Sequence, residues 1–120
     1  MAAIEVMVVA HDPEAQQAFA RALGPRGLAP ILASTVKEAE AIVSRQFISL
    51  VFCFDEVPGG GASDFLRHAQ PSSNRVPVVV VSRRDDWERR RNALRAGAFG
   101  YILYPLAPEE IDRALELWCR

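Results

Sequence analysis

Apolar runs and segments of helical period take turns along this chain. Ile4 to Ala10 (IEVMVVA) is a short run rich in β-branched residues, which reads as a strand. Asp12-Pro13-Glu14 then opens a helix, with Asp12 able to cap it, Pro13 at a first-turn position and Glu14 at the positive end. Ala15, Ala18, Phe19, Ala22 and Leu23 fall on one face of that helix, and Gly24-Pro25 stops it. Leu28 to Ala33 reads as a second strand. Pro30 inside it cannot donate to a ladder, which predicts an edge position. Ser34 or Thr35 caps a second helix, with Glu38 completing a capping box to Thr35 and Ala39, Ile42 and Val43 facing inward.

Ile48 to Phe54 (ISLVFCF) and Val76 to Val81 (VPVVVV) are continuous apolar runs, as expected of strands covered on both faces. Between them come a loop from Asp55 to Gly61, a short helix over Ser63 to Ala69 and a polar loop over Pro71 to Arg75. Asp85 to Ala96 predicts a fourth helix with Gly97 past its end. Tyr101 to Tyr104 is a last short strand, Pro105 ends it, and Pro108 to Trp118 is the final helix. Five strand-helix units without a repeat predict one α/β domain over residues 1–120. The architecture is a three-layer, flavodoxin-like, doubly wound parallel sheet with right-handed crossovers. In such sheets function sits at the carboxyl ends of the strands. That brings together His11-Asp12, Phe54-Asp55, Ser82 and Tyr104-Pro105.

Composition narrows the classes. The 120 residues carry 14 basic and 15 acidic side chains, a net charge of −1, and half are apolar. The balance excludes a general nucleic-acid binder and a polybasic membrane-surface protein. No apolar run is long enough to span a bilayer, and no basic segment followed by an apolar one reads as a secretory signal. A cytoplasmic protein is expected. Cys53 and Cys119 make no disulfide framework, and Cys53 reads as a small core residue. Lys37 in the second helix is the only Lys; every other basic residue is Arg.

The stretches VMVVAHDPEAQ, LVFCFDEVPGGGASDFLR, VPVVVVSRRDD and AGAFGYILYPLAPEEI together resemble the receiver domain of two-component response regulators, over nearly the whole chain. The resemblance implies sheet order 2-1-3-4-5. It also implies a chemistry: an Asp at the end of the third strand is phosphorylated, and Mg²⁺ is held by an acidic pair after the first strand. A Thr or Ser after the fourth strand and a Lys before the last Pro hold the phosphoryl oxygens. Aligned without gaps, the acidic pair falls on Ala10 and His11, the phosphoacceptor on Phe54 and the Lys on Tyr104, before Pro105. Ser82 keeps the hydroxyl, and Tyr101 keeps the aromatic switch position of the last strand.

Two readings follow. In the first, the chain is a receiver-like module of the phosphorelay family that is not phosphorylated and binds no cofactor. Phe54 then fills the former acidic pocket, Tyr104 takes the space of the Lys, and the module acts through protein contacts. In the alternative, Asp55 and Asp12, each one residue late, build a shifted Mg²⁺-dependent pocket with Ser82, and Asp55 is the phosphoacceptor. A one-residue move along a strand reverses the side chain, which weighs against that alternative.

The remaining features are weighed in the same way. His11 reads as a solvated loop residue, since no Cys or His cluster surrounds it. Gly59-Gly60-Gly61 lacks the continuation of a phosphate-cradling motif and reads as a flexible loop. The first loop lacks the hydroxyls and glycines an FMN site needs. Arg83 to Arg95 holds six Arg against three acidic residues, a net of +3. This can be a solvated face with pairs such as Asp86 with Arg90, or a partner surface. The resemblance implies that the fourth helix, last strand and last helix form a homodimer or protein-partner face, with a histidine kinase among the partners. Trp87, Arg84, Arg91 and Arg95 on one side and Glu110 and Asp112 on the other are its candidate residues, with Trp87 and Trp118 as aromatic anchors.

Overall fold

Strands and α-helices alternate in the computed structural model, which describes residues 4–68 and 76–118, the side chains of His68 and Trp118 apart. The strands are β1 (Val6–Val9), β2 (Ile31–Ala33), β3 (Leu50–Phe54), β4 (Val78–Ser82) and β5 (Gly100–Leu103). The helices are α1 (Pro13–Leu23), α2 (Val36–Arg45), α3 (Ala62–His68), α4 (Trp87–Arg95) and α5 (Pro108–Trp118). All strands are parallel, in the order β2-β1-β3-β4-β5. Helices α1 and α5 meet on one face of the sheet, while α2, α3 and α4 lie on the other.

The central strands are apolar because both faces are covered. Every residue of β1, β3 and β4 is buried. Phe19 of α1 packs on Phe52 with ring centroids 5.1 Å apart, which seats that helix on the sheet. Local caps set the helix starts. Asp12 accepts the Glu14 amide at 3.0 Å, and Thr35 Oγ1 accepts the Glu38 amide at 3.1 Å. The capping box closes one residue earlier than its sequence form suggests: the Glu38 carboxylate takes the amide of Ser34 at 2.8 Å.

Strand ends differ from the sequence expectation. β1 and β3 start two residues later than their apolar runs, because Ile4 is exposed and Ile48 is buried before pairing begins. β2 is only three residues long, so Pro30 precedes the strand instead of interrupting it; β2 is nevertheless the edge. β5 runs from Gly100 to Leu103, one residue earlier than expected, so Tyr104 lies just past it. α4 starts at Trp87 because Asp86 is its cap, accepting the amides of Glu88 and Arg89. The polar loop over 71–75 and Cys119 lie outside the described residues.

The Gly59–Gly61 loop packs closely on its surroundings. Val57 is buried, and the Gly60 amide donates to its carbonyl at 3.2 Å. Gly61 has φ +156°, and a Cβ there would sit 2.2 Å from the Asp55 carbonyl oxygen, so only glycine fits this close approach.

Cys53 is a core residue of β3. Burial, then the nearby Asp55 charge, push its thiol up from the ordinary 9.0 to about 12. An acid whose folded pKa is raised stabilises the fold below the unfolded value and loses that contribution as pH rises through the folded one. Stability is therefore expected to fall between about pH 9 and pH 12, less so in Cys53→Ala, as read by denaturant midpoints. At pH 8 the Cys53 thiol should resist a thiol reagent in the native protein and react in guanidinium, as peptide mapping would report.

Candidate functional site

Alternation along β3 and its neighbours sorts the residues at the strand ends into two sets. Paired residues in a parallel sheet share a face, and successive residues oppose each other. Phe54 pairs with Val81 and that with Ile102, so Phe54 lies on the α1 side with Phe52. Cys53 pairs with Val80 and that with Tyr101, on the α3–α4 side, and Asp55 follows Cys53 in parity. The expected meeting point is thus two sites on opposite sides of the sheet edge.

On the α1 side, Phe54 is buried and packs edge-on against Tyr104 with centroids 5.7 Å apart, and against Phe19 at 6.1 Å. The Arg83 guanidinium lies 4.6 Å from the Tyr104 ring centre and 5.5 Å from that of Phe54. Arg83 also reaches Asp12 at 3.0 Å. The Ala10 carbonyl accepts from the Gln16 side chain at 2.6 Å. His11 is exposed at the mouth. An open cleft of about 370 Å³ remains, lined by His11, Asp12, Phe54, Glu56, Pro58 and Arg83 among others. Its floor is aromatic and its cation belongs to the chain.

On the α3–α4 side, the Asp55 carboxylate meets side chains from β4 and α4. Ser82 Oγ donates to Asp55 Oδ2 at 2.6 Å, and Arg89 Nη1 donates to the same oxygen at 3.0 Å. Arg89 also reaches Glu56 at 3.5 Å and Asp86 at 3.6 Å. Partial burial alone would lower the Arg89 pKa; the charges of Asp55 and Glu56 outweigh it and raise it. Ser82 is fully buried and accepts the Arg84 amide at 3.1 Å. Tyr101 is buried with its hydroxyl donating to the Arg84 carbonyl at 2.9 Å. A small cavity of about 180 Å³ between α3 and α4 is lined by Asp55, Arg89, Asn92 and Tyr101 among others.

The predicted partner face is arranged differently from its sequence reading. Trp87 is 69% exposed, and Arg84, Arg91 and Arg95 are exposed beside it. Arg90 does not pair with Asp86. Its guanidinium lies over the Tyr101 ring at 5.6 Å and donates to the Tyr101 carbonyl, and the i,i+3 pair Asp86–Arg89 forms instead. Asp112 is paired inside the chain with Arg26 at 2.6 Å, and that hydrogen bond holds its carboxyl below the usual range. Among the described residues no acidic partner engages Arg91 or Arg95, nor a basic one Glu110. The Trp118 side chain lies outside the described residues.

The family model for the response regulator receiver domain matches residues 6–116. The chain belongs to that family. A receiver domain of a Pseudomonas aeruginosa sensor histidine kinase, with magnesium in its active-site cleft, superposes with TM-score 0.87 at 24% identity and covers 98% of each chain. The BeF3-activated receiver domain of Klebsiella pneumoniae RstA gives the same TM-score and identity, covering 97% of this chain and 98% of its own. In sequence, the phosphate regulon transcriptional regulatory protein PhoB of Escherichia coli is 26% identical over 108 residues, covering 88% of this chain and 47% of that protein. A probable transcriptional regulatory protein of Sinorhizobium fredii is 27% identical over 100 residues, covering 83% of this chain and 44% of that protein. The chain spans about half the length of these curated relatives. No described helix is long and apolar enough to cross a membrane.

The family implies Mg²⁺ at this edge, and the residues present do not fit it. Mg²⁺ needs near-octahedral oxygen ligands, usually one or two carboxylates. Ala10 and Phe54 offer no side-chain oxygen, and Asp12 is engaged by Arg83. Among the described residues no three His, Cys, Asp or Glu side chains group to hold a metal. A Mg²⁺ titration followed by calorimetry is expected to show no saturable binding up to about 10 mM, the range where a weak site for a hard cation would appear. Arg83→Ala should cost about 1 kcal/mol, the sum of an exposed cation–π contact and an exposed ion pair, read by urea unfolding.

Proposed function

We propose that this receiver domain signals through protein contacts and takes up no phosphoryl group. The observation that supports this reading most strongly is the placement of Phe54. An apolar ring, packed on Phe19 and Tyr104 under the Arg83 guanidinium, lies where the alignment puts the acceptor carboxylate. Phosphoryl transfer needs an in-line carboxylate, a divalent cation and positive groups on the equatorial oxygens. Asp55 stands on the other side of the sheet edge with its Oδ2 shared by Ser82 and Arg89, and the single Lys is in α2.

The partner surface of this reading is α4, β5 and α5. Trp87 and Leu94 are exposed on α4 with Arg91 and Arg95, and Leu103 is exposed on β5. Acidic Glu109, Glu110 and Glu116 lie on α5. An aromatic and aliphatic centre between opposite charges suits a two-fold contact with a second copy or docking on a protein partner such as a histidine kinase. A cytoplasmic, two-component setting belongs to the same proposal.

Incubation with acetyl phosphate and Mg²⁺, followed by intact-mass measurement at neutral pH, is expected to show no phosphoryl adduct. An adduct abolished by Asp55→Asn would overturn this reading in favour of a shifted pocket. For the surface, sedimentation equilibrium is expected to show self-association that weakens with salt. The double change Arg91→Glu with Arg95→Glu should weaken it by about tenfold or more, since like charges then face each other.

A further inference from the structure

The α3–α4 side of the sheet edge carries a continuous hydrogen-bond chain that the partner-surface reading does not use. It starts at Asp55, passes to Ser82 Oγ at 2.6 Å, from there to the Arg84 amide at 3.1 Å, and from the Arg84 carbonyl to the Tyr101 hydroxyl at 2.9 Å. A branch runs from the same Asp55 oxygen to Arg89 in the first turn of α4 at 3.0 Å. The chain thus ties the end of β3 to the β4–α4 loop, to the start of α4 and to the ring on which Arg90 lies.

Three features make Asp55 the head of this arrangement. Its carboxylate is the one acceptor that both Ser82 and Arg89 address. Its backbone is fixed, since the Asp55 amide donates to the Val81 carbonyl at 2.9 Å and Gly61 closes on its own carbonyl. Charge-assisted bonds to a carboxylate are among the stronger ones, and this side chain is only 20% exposed, so water competes poorly for it. By contrast, α4 has no fully buried residue, and of its side chains only Ala93 is among the apolar groups packed against the core. A helix so lightly packed takes its position from its polar ties.

We propose that Asp55 is an internal anion that fixes the β4–α4 loop and the N-terminal turn of α4, holding the Trp87 and Arg91 face in one arrangement without any added phosphate. The inference rests on the reading of Asp55 as unphosphorylated. In that reading the residue is a positioning residue for the partner surface. The chain already supplies a negative charge to Ser82 and Arg89, and the loop needs no second anion to settle.

Hydrogen-exchange mass spectrometry on the full chain tests this. Asp55→Ala is expected to raise exchange in residues 83–90 by about tenfold or more, the scale of a lost charge-assisted bond opening a local segment, while β1 and β3 stay protected. Asp55→Asn keeps an acceptor for Ser82 but loses the ion pair with Arg89. It should leave the Arg84 amide protected and release the first turn of α4. Arg83→Ala, on the other side of the sheet edge, should leave residues 84–90 unchanged. Unchanged exchange in Asp55→Ala, or a rise spread evenly over β1 and β3, would overturn the proposal, the latter by making Asp55 a plain contributor to global stability. If Asp55→Ala does not fold, Asp55→Asn decides alone: faster exchange confined to the α4 amides supports the proposal, and unchanged α4 amides overturn it. A phosphoryl adduct on wild-type Asp55 would sink the underlying reading, and that result comes from the mass measurement, independent of these exchange rates.

Discussion

The two-residue period of β3 governs everything at the functional edge. Phe54 and Asp55 are neighbours in sequence, yet the pleat sends them to opposite sides of the sheet, and no rotamer can bridge that separation. Phe54 therefore joins Phe19, Tyr104 and Arg83. Asp55 joins Ser82, Arg89 and the chain to Tyr101. The register is held firmly, because β3 is paired with β1 and β4 along its length and is buried on both faces. Slipping it by one would place Asp55 under α1 and the apolar side chains of β3 on the wrong faces.

Charge at this edge is balanced within the chain. Clustered carboxylates repel each other, and the energy of bringing them together falls only when a cation sits among them. Here two arginines, one from the loop after β4 and one from the helix that follows, supply that cation. Arg83 meets Asp12 over two aromatic rings, and Arg89 meets Asp55, Glu56 and Asp86. A guanidinium suits both settings, since it stacks on rings and forks to several oxygens where an ammonium would offer a point charge. Tyr104 precedes Pro105, and the positive charge at this edge comes from groups reaching in from the β4–α4 loop and α4. That geometry leaves no open oxygen cage for a divalent cation.

The fold was legible in the residues because its signals are local and repeated. Continuous apolar runs marked β3 and β4 as interior, Pro30 marked the edge, and Asp12 and Thr35 marked helix starts that the structure reproduces. Strand ends were less legible, since Ile4 and Ile48 look like strand residues whether or not a partner strand reaches them. The site was half legible. Alternation placed Phe54 and Asp55 on different sides, but the fates of Arg83, Arg89 and Arg90 were hidden. A long side chain reaches whichever carboxylate or ring the fold brings near, and spacing within one helix predicts only its neighbours in that helix. The nearest available signal for Arg89 was its place in the first turn of the helix that follows Ser82-Arg83-Arg84, whose strand adjoins that of Asp55.

The separation of the two sites also leaves the packing of the domain independent of its edge carboxylate. The apolar core lies below the edge, in β1, β3 and β4 and the helices on them, and draws nothing from the Asp55 carboxylate. What the edge residues tie down is α4, which buries no residue fully and so leans on polar contacts for its position. A helix in that condition is an adjustable surface if its polar ties come and go, and a fixed one if they are intramolecular and permanent. The bonds that reach α4 here begin at a carboxylate of the chain itself. Asp112 of α5 is likewise tied to Arg26. Internal ion pairs thus engage both α4 and α5, while Trp87, Arg91 and Arg95 stay exposed.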